Sequence, residues 1–492
     1  MNAFTNVAVD IPVAPMIVRG QVIAENLIEV GGRGGDLTFL TPDASKYLDR
    51  LPLGNPSKLA DLYKLSFEDI LDYLAELGEH LKIDRNPHLR QARDLCYLTA
   101  PTTPPIIDAT FASLHTYFDR EVIRENAEHH IGVKYLEGWV SETMRNGQRV
   151  DVRCFGARCV HIIAGNSPAI SAMTIIRNAV MRSDAIIKAP SNDPFTALAI
   201  ARTMCDMAPD HPITKHLTVA YWRGGSLDVE EKLYQPRNVE KIVAWGGFAS
   251  VKHVSRYIQP GLELISFDPK LSASIVGAEA FESEEMMRAA AIRIATDVGA
   301  LNQVACVNAR VIYALSGTDE DGLRKLDRLG DYVYEAMLAL PPTVSTKPKR
   351  VDRELKTHIN SLRLDDEWYR VIGGEEDEGA VIVSHLSEPV DFSSKLADRT
   401  ANLVPVDRIE QVVAAITSYT QTVGVFPESL KDDLVDLLAL YGAQRFVSLG
   451  YAIAQSQTSP QDGIEPMRRM GKWVTNEICS PETVAPPWMP RP

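Results

Sequence analysis

Apolar residues recur at helical spacing in the first part of the chain. Residues 66–81 (SFEDILDYLAELGEHL) and 108–130 place apolar side chains three and four positions apart, which predicts a helix over each segment. The glycine run GGRGG at 31–35 lies between LIEV and LTFL, with no helical pattern after it. It therefore predicts the turn of a hairpin rather than a phosphate-binding loop.

From residue 150 onward, short β-branched runs alternate with helical stretches. One series of predicted strands comprises CVHIIAG (159–165), DAIIKAP (184–190), LTVAYWR (217–223) and KIVAWGG (241–247), with predicted helices at 171–181 and 194–207. A second series comprises ASIVGA (273–278), ARVIYAL (309–315), AVIVSH (380–385), NLVPV (402–406), VGVF (423–426) and RFVSL (445–449), with a long predicted helix at 283–298. This alternation predicts two successive α/β units, each a parallel sheet covered by helices.

Segments outside this alternation are predicted to lie at the surface. SETMRNGQRVDVRCFG (141–156) predicts a hairpin with its Asn-Gly pair at the turn. GGEEDEG (373–379) and TKPKR (346–350) predict surface loops. The proline-rich tail, 481–492, predicts an extended segment, either in solvent or on a neighbouring chain.

Composition narrows the class of protein. The chain has 492 residues, 45% of them hydrophobic and 24% charged, as in a globular protein of two or three domains. No apolar run is long enough to span a bilayer and the N-terminus has no signal-peptide pattern, so we expect a cytoplasmic protein. The net charge of −14 argues against a nucleic-acid partner, although a small anionic cofactor needs only a local positive pocket.

The chain has six cysteines, Cys96, Cys154, Cys159, Cys205, Cys306 and Cys479. Their spacing fits neither a disulfide framework nor a zinc site, and we expect no metal. Cys154 and Cys159 are predicted to be buried thiols. Any catalytic role therefore falls to a single cysteine in a suitable setting.

Cys306 and Asn166 are the candidate catalytic residues. Cys306 lies in ALNQVACVNARV (300–311), between a predicted helix and a predicted strand, where a loop can hold a thiol open to substrate. Asn166 follows the strand in VHIIAGNSPAI (160–170), on the usual ligand side of an open α/β sheet. Its side-chain amide can donate to a developing oxyanion or cap the next helix, and the local sequence fits both roles equally.

Lys188, Gly246 and Gly247 are candidates for binding a cofactor. Lys188 ends a predicted strand, where its ammonium can meet a ribose or a phosphate, although a lone lysine there is usually solvated. Gly246 and Gly247 end another strand and open a helix, whose first N–H groups favour a pyrophosphate. Each pattern is weak alone, and the interpretation depends on their order along the chain.

In that order, these segments resemble the aldehyde dehydrogenase superfamily over roughly residues 105–475. FGARCVHIIAGNSPAI and SDAIIKAPSNDPF are similar to its oxyanion and cofactor-lysine segments, KIVAWGG to its pyrophosphate turn, LNQVACVNARV to its nucleophile loop, and TQTVGVF to a late glycine segment. The resemblance implies Cys306 as nucleophile, and Asn166 with the Cys306 backbone N–H as oxyanion hole. It also implies Lys188 on the adenosine ribose or its phosphate and Gly246 near the pyrophosphate.

Two departures from the superfamily pattern point to one branch of it. The glutamate that activates water in hydrolytic members falls at or beside Phe267, although Asp268 is adjacent. Gln303 stands three residues before Cys306 rather than two. With the NSP, SDAIIKAPS and WGG details, the chain resembles the LuxC-type acyl-CoA reductases, a fatty-acid reductase family.

This resemblance implies an enzyme that reduces an acyl thioester, such as a fatty acyl-CoA, to an aldehyde with NADPH. Cys306 would carry the acyl group after CoA or another thiol leaves, and an acyl-protein synthetase or carrier protein would be a partner. Without a glutamate at Phe267, release of the acyl group by water is expected to be slow. The alternatives are a hydrolytic NAD(P)-dependent aldehyde dehydrogenase and a catalytically silent nucleotide-binding protein.

The family also implies an α/β fold with a Rossmann-type cofactor domain, an α/β catalytic domain and a small oligomerisation hairpin. We expect 1–140 and 157–265 to form a helical N-terminal region and the nicotinamide-cofactor domain, and 266–469 the catalytic domain. Residues 141–156 and 470–492 are expected to form the oligomerisation hairpin and tail. The hairpin implies a homo-oligomer, either a dimer or a tetramer.

Ser191 bears on the choice between the two nicotinamide cofactors. In NAD-preferring relatives a glutamate follows the lysine strand and repels a 2′-phosphate, and Ser191 falls at that position. A serine removes a repulsion of a few kcal/mol and offers a hydroxyl donor. We therefore expect a preference for NADPH over NADH of about tenfold or more, with Arg182 and Asn192 as further polar residues near this segment.

Overall fold

The computed structural model describes residues 11–32, 37–454 and 457–488. Backbone contacts divide the chain into two compact units. Unit 1 comprises Met1–Thr99, Thr110–Phe267 and Gln457–Pro492, and unit 2 comprises Ala100–Ala109 and Asp268–Ser456.

The strands are β1 (Met16–Val18), β2 (Gln21–Ile23), β3 (Leu27–Gly31), β4 (Thr38–Pro42), β5 (Val140–Thr143), β6 (Arg149–Gly156), β7 (Arg158–Ile162), β8 (Asp184–Lys188), β9 (Leu217–Ala220), β10 (Lys241–Trp245), β11 (Glu263–Phe267), β12 (Leu271–Val276), β13 (Ala309–Ala314), β14 (Tyr369–Gly373), β15 (Ala380–Ser384), β16 (Thr400–Pro405), β17 (Thr420–Phe426), β18 (Arg445–Ser448) and β19 (Gly471–Ile478). The α-helices are α1 (Phe67–His80), α2 (Pro87–Thr99), α3 (Pro104–Ser113), α4 (Arg120–His130), α5 (Val133–Glu137), α6 (Ala169–Val180), α7 (Thr196–Met207), α8 (Pro212–Lys215), α9 (Leu227–Leu233), α10 (Phe248–Ser255), α11 (Glu284–Gly299), α12 (Glu320–Leu338), α13 (Arg353–Leu362), α14 (Ile409–Ala415), α15 (Glu428–Tyr441) and α16 (Pro466–Met470).

The main sheet of unit 1 has the strand order β11–β10–β7–β8–β9–β1–β2. The strands from β11 to β9 in this order are parallel, whereas β1 pairs antiparallel with both β9 and β2. Helix α6 joins β7 to β8, and α7 lies between β8 and β9 in the chain. Because the parallel strands point the same way, the loops that follow them lie at one edge of the sheet.

Two hairpins complete unit 1. β3 and β4 pair antiparallel, which confirms the predicted hairpin, and its residues 33–36 lie outside the described part of the chain. β5 and β6 form the second predicted hairpin, in which Gly147 has a φ of 85° and donates its N–H to Met144 O. β19 pairs with β6 along its length, so the hairpin becomes a three-stranded antiparallel sheet.

The sheet of unit 2 has the order β14–β15–β16–β13–β12–β17–β18 and is parallel except for β14. Helices α11 and α12 share a buried cluster with it. On α12, a Cβ added at Gly330 would lie 2.7 Å from a Val383 methyl and 3.0 Å from Ile372. A larger residue at Gly330 would therefore push α12 away from the sheet.

The predicted strands of both series are present, and the helix predicted over 66–81 is α1. The segment 108–130 does not form one continuous helix, because the helical structure is interrupted at Asp119. The Asp119 carboxylate accepts the N–H groups of Glu121 and Val122 and so begins α4 as an N-cap. The loop predicted at 373–379 is the connection between β14 and β15, and β14 itself was not predicted.

The two units are bounded differently from the predicted domains, since 141–156, 266–267 and 470–492 all belong to unit 1. Residues 100–109 belong to unit 2, and 457–469 belong to unit 1, where α16 precedes β19. Because β19 pairs with β6, the segment 457–469 that precedes β19 lies in the same unit as β6. Among the described residues, no helix is both long and apolar enough to cross a membrane.

Candidate active site

Each candidate residue of unit 1 follows the carboxyl end of a parallel strand. Asn166 lies in the loop between β7 and α6, and the N-cap of α6 is Pro168 rather than Asn166. Lys188 is the last residue of β8, and Gly246 and Gly247 follow β10 directly. The fold therefore brings these residues to one edge of the sheet, here named the cofactor edge (residues 163–168, 188–195 and 245–247).

Lys188 is buried rather than solvated, which corrects the usual expectation for a lysine at a strand end. The residue is 8% exposed, and its Nζ lies 5.8 Å from the centre of the Trp222 ring. Burial lowers the pKa of Lys188 to about 8, and the Glu230 carboxylate opposes this shift. A cation with so little water around it favours an anionic ligand.

Glu230 is a buried carboxylate whose role the sequence did not reveal. Its Oε2 accepts hydrogen bonds from His253 Nε2 at 2.6 Å and from the Tyr257 hydroxyl at 3.2 Å. Its Oε1 accepts the N–H of Gly225 at 3.2 Å. Since Glu230 lies on α9 and His253 on α10, this carboxylate joins the two helices.

Ser191 and Asn192 both lie at the cofactor edge. The Ser191 hydroxyl is 3.2 Å from the Tyr221 hydroxyl, and the Tyr221 ring packs edge-on against Phe39. A Cβ added at Gly165 would lie 2.5 Å from Asn192 Oδ1, so glycine is required for this close approach. The side chain of Asn192 therefore lies against the loop that carries Asn166.

Arg182 does not lie at the cofactor edge, which corrects its suggested role near the cofactor. It precedes β8, at the opposite edge of the sheet, and is 2% exposed. Its guanidinium donates to Leu136 O and Leu65 O and forms an ion pair of 2.6 Å with Glu137. Arg182 is therefore a structural residue.

The glycine turn after β10 leaves backbone accessible. Gly247 is the N-cap of α10, and a Cβ there would meet no atom within 4 Å. Next to this turn, Phe267 is buried and stacks on Trp245 with ring centres 3.9 Å apart. Phe267, which the sequence resemblance puts at or beside a glutamate position, is thus part of a buried aromatic pair, with half-buried Asp268 next to it in the chain.

In unit 2, Cys306 lies between α11 and β13, on a loop between a helix and a strand as predicted, and the loop is strained. A 3₁₀ turn follows α11, in which Leu301, Asn302 and Gln303 have φ values of 52°, 54° and 64°. Left-handed backbone costs a non-glycine residue about 1–2 kcal/mol. Such a conformation persists only where its surroundings hold it. Residues 300–309 are named the nucleophile loop below.

Two buried amides hold the strained turn itself. Gln303 Nε2 donates to Ala309 O at 3.0 Å and to Thr400 O at 2.8 Å, and its Oε1 accepts the N–H of Thr400 at 2.8 Å. Asn302 Oδ1 accepts the N–H of Thr346 at 2.9 Å. Both side chains are 2% exposed. Gln303, noted in the sequence only for its spacing from Cys306, thus ties the loop to β13 and β16.

A third amide, that of Asn308, closes the loop. Asn308 Nδ2 donates to Asp297 O and to Ala300 O, both at 3.0 Å. Its Oδ1 accepts the N–H of Ala305 at 3.0 Å, and the residue is fully buried. The loop geometry around the thiol therefore depends on this one side chain at three points.

The side chain of Cys306 is exposed on this loop. Gln421 Nε2, on β17, donates to Cys306 Sγ at 3.2 Å. The Ser272 hydroxyl, on β12, donates to Cys306 O at 2.7 Å and accepts the N–H of Thr422 at 3.2 Å. Neither Gln421 nor Ser272 was identified from sequence, because strands β12 and β17 are distant from the loop in the chain.

Two guanidiniums lie in the electrostatic range of Cys306. Burial lowers the pKa of both Arg310 and Arg445, and Cys306 is among the groups that oppose this shift. Arg445 Nη1 donates to Ala452 O at 2.6 Å. Burial raises the pKa of Asp297 to about 6, although this carboxyl accepts the N–H of Ala452 at 2.8 Å. A positive surrounding favours a thiolate at Cys306.

Cys479 is exposed like Cys306, whereas the other four cysteines are buried and therefore unsuitable as nucleophiles. Burial raises the pKa of Cys154 and Cys205 to about 11, and that of Cys159 to about 12. This confirms the prediction that Cys154 and Cys159 are buried thiols. In the described part of the chain, no group of His, Cys, Asp and Glu side chains could hold a metal ion.

The fold is that of the aldehyde dehydrogenases, as the motifs predicted. The NADP-dependent glyceraldehyde-3-phosphate dehydrogenase of Bacillus halodurans superposes with a TM-score of 0.71 at 11% identity, covering 94% of this chain and 98% of that one. Aldehyde dehydrogenase 21 of Physcomitrella patens superposes with a TM-score of 0.73 at 11% identity, covering 95% and 98%. At these identities the likeness concerns the fold alone.

Sequence comparison defines the branch. Residues 62–473 match the family described as acyl-CoA reductase (LuxC), and the chain belongs to that family. The long-chain acyl-protein thioester reductase of Photorhabdus luminescens is 26% identical over 444 residues, which are 87% of each chain. The enzyme of the same name from Vibrio harveyi is 25% identical over 475 residues, 94% of this chain and 93% of that one.

Proposed function

We propose that the protein reduces a fatty acyl thioester to an aldehyde with NADPH, through an acyl-cysteine at Cys306. The observation that supports this most directly is the exposed thiol of Cys306 on a loop held by buried amides, with a hydrogen-bond donor at its sulfur. A nucleophile needs both access to substrate and a defined direction. Membership of the LuxC family supports the choice of thioester reduction.

In the proposed reaction, Cys306 Sγ attacks the thioester carbonyl, the bond from that carbonyl to the donor sulfur breaks, and the donor thiolate leaves. The Asn166 side-chain amide and the Cys306 backbone N–H are the proposed donors to the oxyanion. Reduction of the acyl-cysteine gives a thiohemiacetal. When its bond to Sγ breaks, the aldehyde is free and Cys306 returns as thiolate.

The cofactor edge fits a nicotinamide dinucleotide. Lys188 offers a buried cation, Ser191 a hydroxyl, and the turn of Gly246 and Gly247, with its open backbone at Gly247, a place for a pyrophosphate. Bound there, NADPH would supply the hydride. Ser191 in place of a carboxylate favours NADPH over NADH. We propose that 1–140 and 157–265 carry this function and that 266–469 carries the nucleophile.

The acyl donor is proposed to be a protein thioester, because the relatives from Photorhabdus luminescens and Vibrio harveyi are named for that substrate. Acyl-CoA, the donor in the family's description, is the second candidate, with CoA as leaving group. A protein donor requires an acyl-protein synthetase or a carrier protein as partner. Initial rates with the two donors carrying the same acyl chain distinguish them.

A homo-oligomer, either a dimer or a tetramer, is proposed through 141–156 and 470–492. The three-stranded sheet of these segments has two edge strands, β5 and β19, with exposed side chains such as Val474 and Ile478. Light scattering at micromolar concentration tests this, and a monomeric mass contradicts it.

The test of the proposed function uses Cys306→Ser, with Cys154→Ser as the matched control. Incubation with each of the two donors, an acyl-protein thioester and acyl-CoA, in the absence of NADPH should give a hydroxylamine-labile adduct with at least one of them, on the Cys306 peptide of the wild type and of Cys154→Ser. Cys306→Ser should yield no such adduct and should lose NADPH-dependent aldehyde formation. An adduct that persists in Cys306→Ser rejects the assignment of the nucleophile, and no adduct in any variant favours the silent nucleotide-binding alternative.

A hydrolytic aldehyde dehydrogenase is the second candidate for the function. Phe267 stands against it, because the resemblance puts the water-activating glutamate at or beside this residue, whose ring stacks on Trp245. Aldehyde formation from the thioester should therefore be faster than acid formation. Efficient oxidation of a free aldehyde to acid, with no added thiol, would favour the alternative and point to Asp268 as base.

A further inference from the structure

The side chain of Gln421, in unit 2, reaches the sulfur of Cys306. It is buried on β17, and its Nε2 donates to Sγ at 3.2 Å. The N–H of Gln444 donates a hydrogen bond to Gln421 O at 3.2 Å and so holds the main chain of Gln421. The amide is therefore presented to the thiol from a strand that lies between β12 and β18 in the sheet.

The same strand also holds the backbone of the nucleophile. Thr422 donates its N–H to the Ser272 hydroxyl, and that hydroxyl donates to Cys306 O. Residues 421 and 422 of β17 thus contact Cys306 at two points, directly at the sulfur and through Ser272 at the carbonyl. The distance between the Gln421 amide and Sγ is consequently set by the sheet.

We propose that Gln421 is a further catalytic residue, whose side-chain N–H stabilises the thiolate form of Cys306 when it attacks and when it leaves. This rests on the proposed function, because it assigns Gln421 to the Cys306 nucleophile. An N–H donor binds a thiolate more strongly than a neutral thiol or a thioester sulfur, since the anion is the better acceptor. The donor therefore acts on the states in which Sγ carries charge.

Both covalent steps involve such a state. In the first, the electron pair of the Cys306 thiolate forms the bond to the acyl carbon, and the donor sulfur departs with the pair of the bond that breaks. In the last, the thiohemiacetal alkoxide re-forms its carbonyl, and the pair of the carbon–sulfur bond returns to Sγ. The amide of Gln421 lies at the sulfur that loses its negative charge in the first step and regains it in the last.

Charged groups near Cys306 come from the flanking elements. Arg310 lies on β13 and Arg445 on β18, and both attract the thiolate. Asp297, on α11, lies in the electrostatic range of Arg445. A substitution of Gln421 leaves these three groups in place, so its effect on the titration of Cys306 reports the amide.

The experiment measures the rate of iodoacetamide alkylation of the Cys306 peptide against pH, by mass spectrometry on the full chain. Gln421→Met should raise the midpoint by about one pH unit, equivalent to an about tenfold slower alkylation below the midpoint. Gln421→Glu should raise it further, because a carboxylate repels a thiolate. Thr420→Val, at the preceding residue of the same strand, should leave the midpoint unchanged, because the Thr420 hydroxyl accepts the N–H of Thr417.

A midpoint unchanged in Gln421→Met, or raised equally in Thr420→Val, overturns the proposal. If Gln421→Met unfolds, Gln421→Asn replaces it, since it keeps the amide but is too short to reach Sγ, and the same shift is expected. The alkylation profile does not depend on reductase activity. Failure of the proposed function would appear instead as persistence of the acyl adduct or of reduction in Cys306→Ser.

Discussion

The cofactor edge of unit 1 and the nucleophile loop of unit 2 position their residues in different ways. At the cofactor edge, Lys188 and Gly246 stand where regular parallel strands end, so topology alone places them. In the nucleophile loop, three consecutive residues are left-handed, and the amides that hold them bind backbone as distant as Thr400. Substitutions at the edge should therefore change affinity and specificity, whereas substitutions in the loop should change the architecture around the thiol.

The largest effect is expected for Asn308→Ala. This change leaves two carbonyls and one N–H without their buried partner and should cost about 3 kcal/mol of unfolding free energy. The loop should shift around Cys306, and a displacement of about 1 Å is enough to lower kcat on the order of a hundredfold. Urea denaturation and single-turnover reduction of the acyl thioester measure the two effects.

The matched control is Asn360→Ala, the same substitution at an exposed position of α13 in the same unit. It should change the unfolding free energy by less than about 0.5 kcal/mol and leave kcat unaltered. A stable and fully active Asn308→Ala would show that the strained turn holds itself, and the contrast between loop and edge would then be wrong.

The same contrast explains which parts of the fold could be predicted from sequence. The strands β7, β8, β10 and β13 are short β-branched runs between helical stretches, and their alternation predicts parallel sheets. β14 was not predicted, because each of its residues is only partly buried. It therefore has neither a run of buried residues nor a clear alternation of buried and exposed ones. The break at Asp119 escaped because the apolar spacing continues across it.

The candidate site divides in the same way. The positions of Asn166 and Lys188 after strand ends could be predicted, because a strand end is recognisable from local sequence. Glu230 and Gln421 were not found, because a carboxylate in LDVEEKL and a glutamine in TQTVGVF look solvated until the packing is known. Their roles depend on partners that other elements supply, such as His253 for Glu230.

At the cofactor edge, Ser191→Glu should change the specificity for the cofactor and leave the reaction at Cys306 unaltered. A carboxylate near the 2′-phosphate of NADPH would repel it, so the preference for NADPH over NADH should fall by about tenfold, or about 1.4 kcal/mol. The change should appear mainly in KM. Steady-state kinetics with both cofactors measure it, alongside the rate at which Cys306 forms its acyl adduct.

Ser191→Ala is the control, because it removes the hydroxyl without adding a charge. It should lower the preference by about threefold or less, as expected for loss of one neutral hydrogen bond. Equal kcat/KM for NADPH and NADH in the wild type would contradict the assignment of Ser191. A fall in the rate of adduct formation in Ser191→Glu would instead show that the edge and the loop are not separable.

The smallest effect is expected from the titration of Lys188. Because burial lowers its pKa to about 8, Lys188 is charged below that pH and neutral above it. A group with this pKa is about 90% protonated at pH 7 and about 10% at pH 9, so the KM for NADPH should rise by up to about ninefold across that range. The full rise requires that the bound anionic cofactor raise the pKa of Lys188 well above 9, and a smaller increase of this pKa gives a smaller rise of the KM. In Lys188→Met the KM should be high and should not change with pH over the same range. In Lys188→Arg the side chain stays charged, so the KM should again not change with pH.

The contradicting outcome is a wild-type KM that does not change between pH 7 and pH 9 while Lys188→Met remains impaired. The buried ammonium would then not be the group that binds the cofactor, and a position at the cofactor edge would not be enough to assign a binding role.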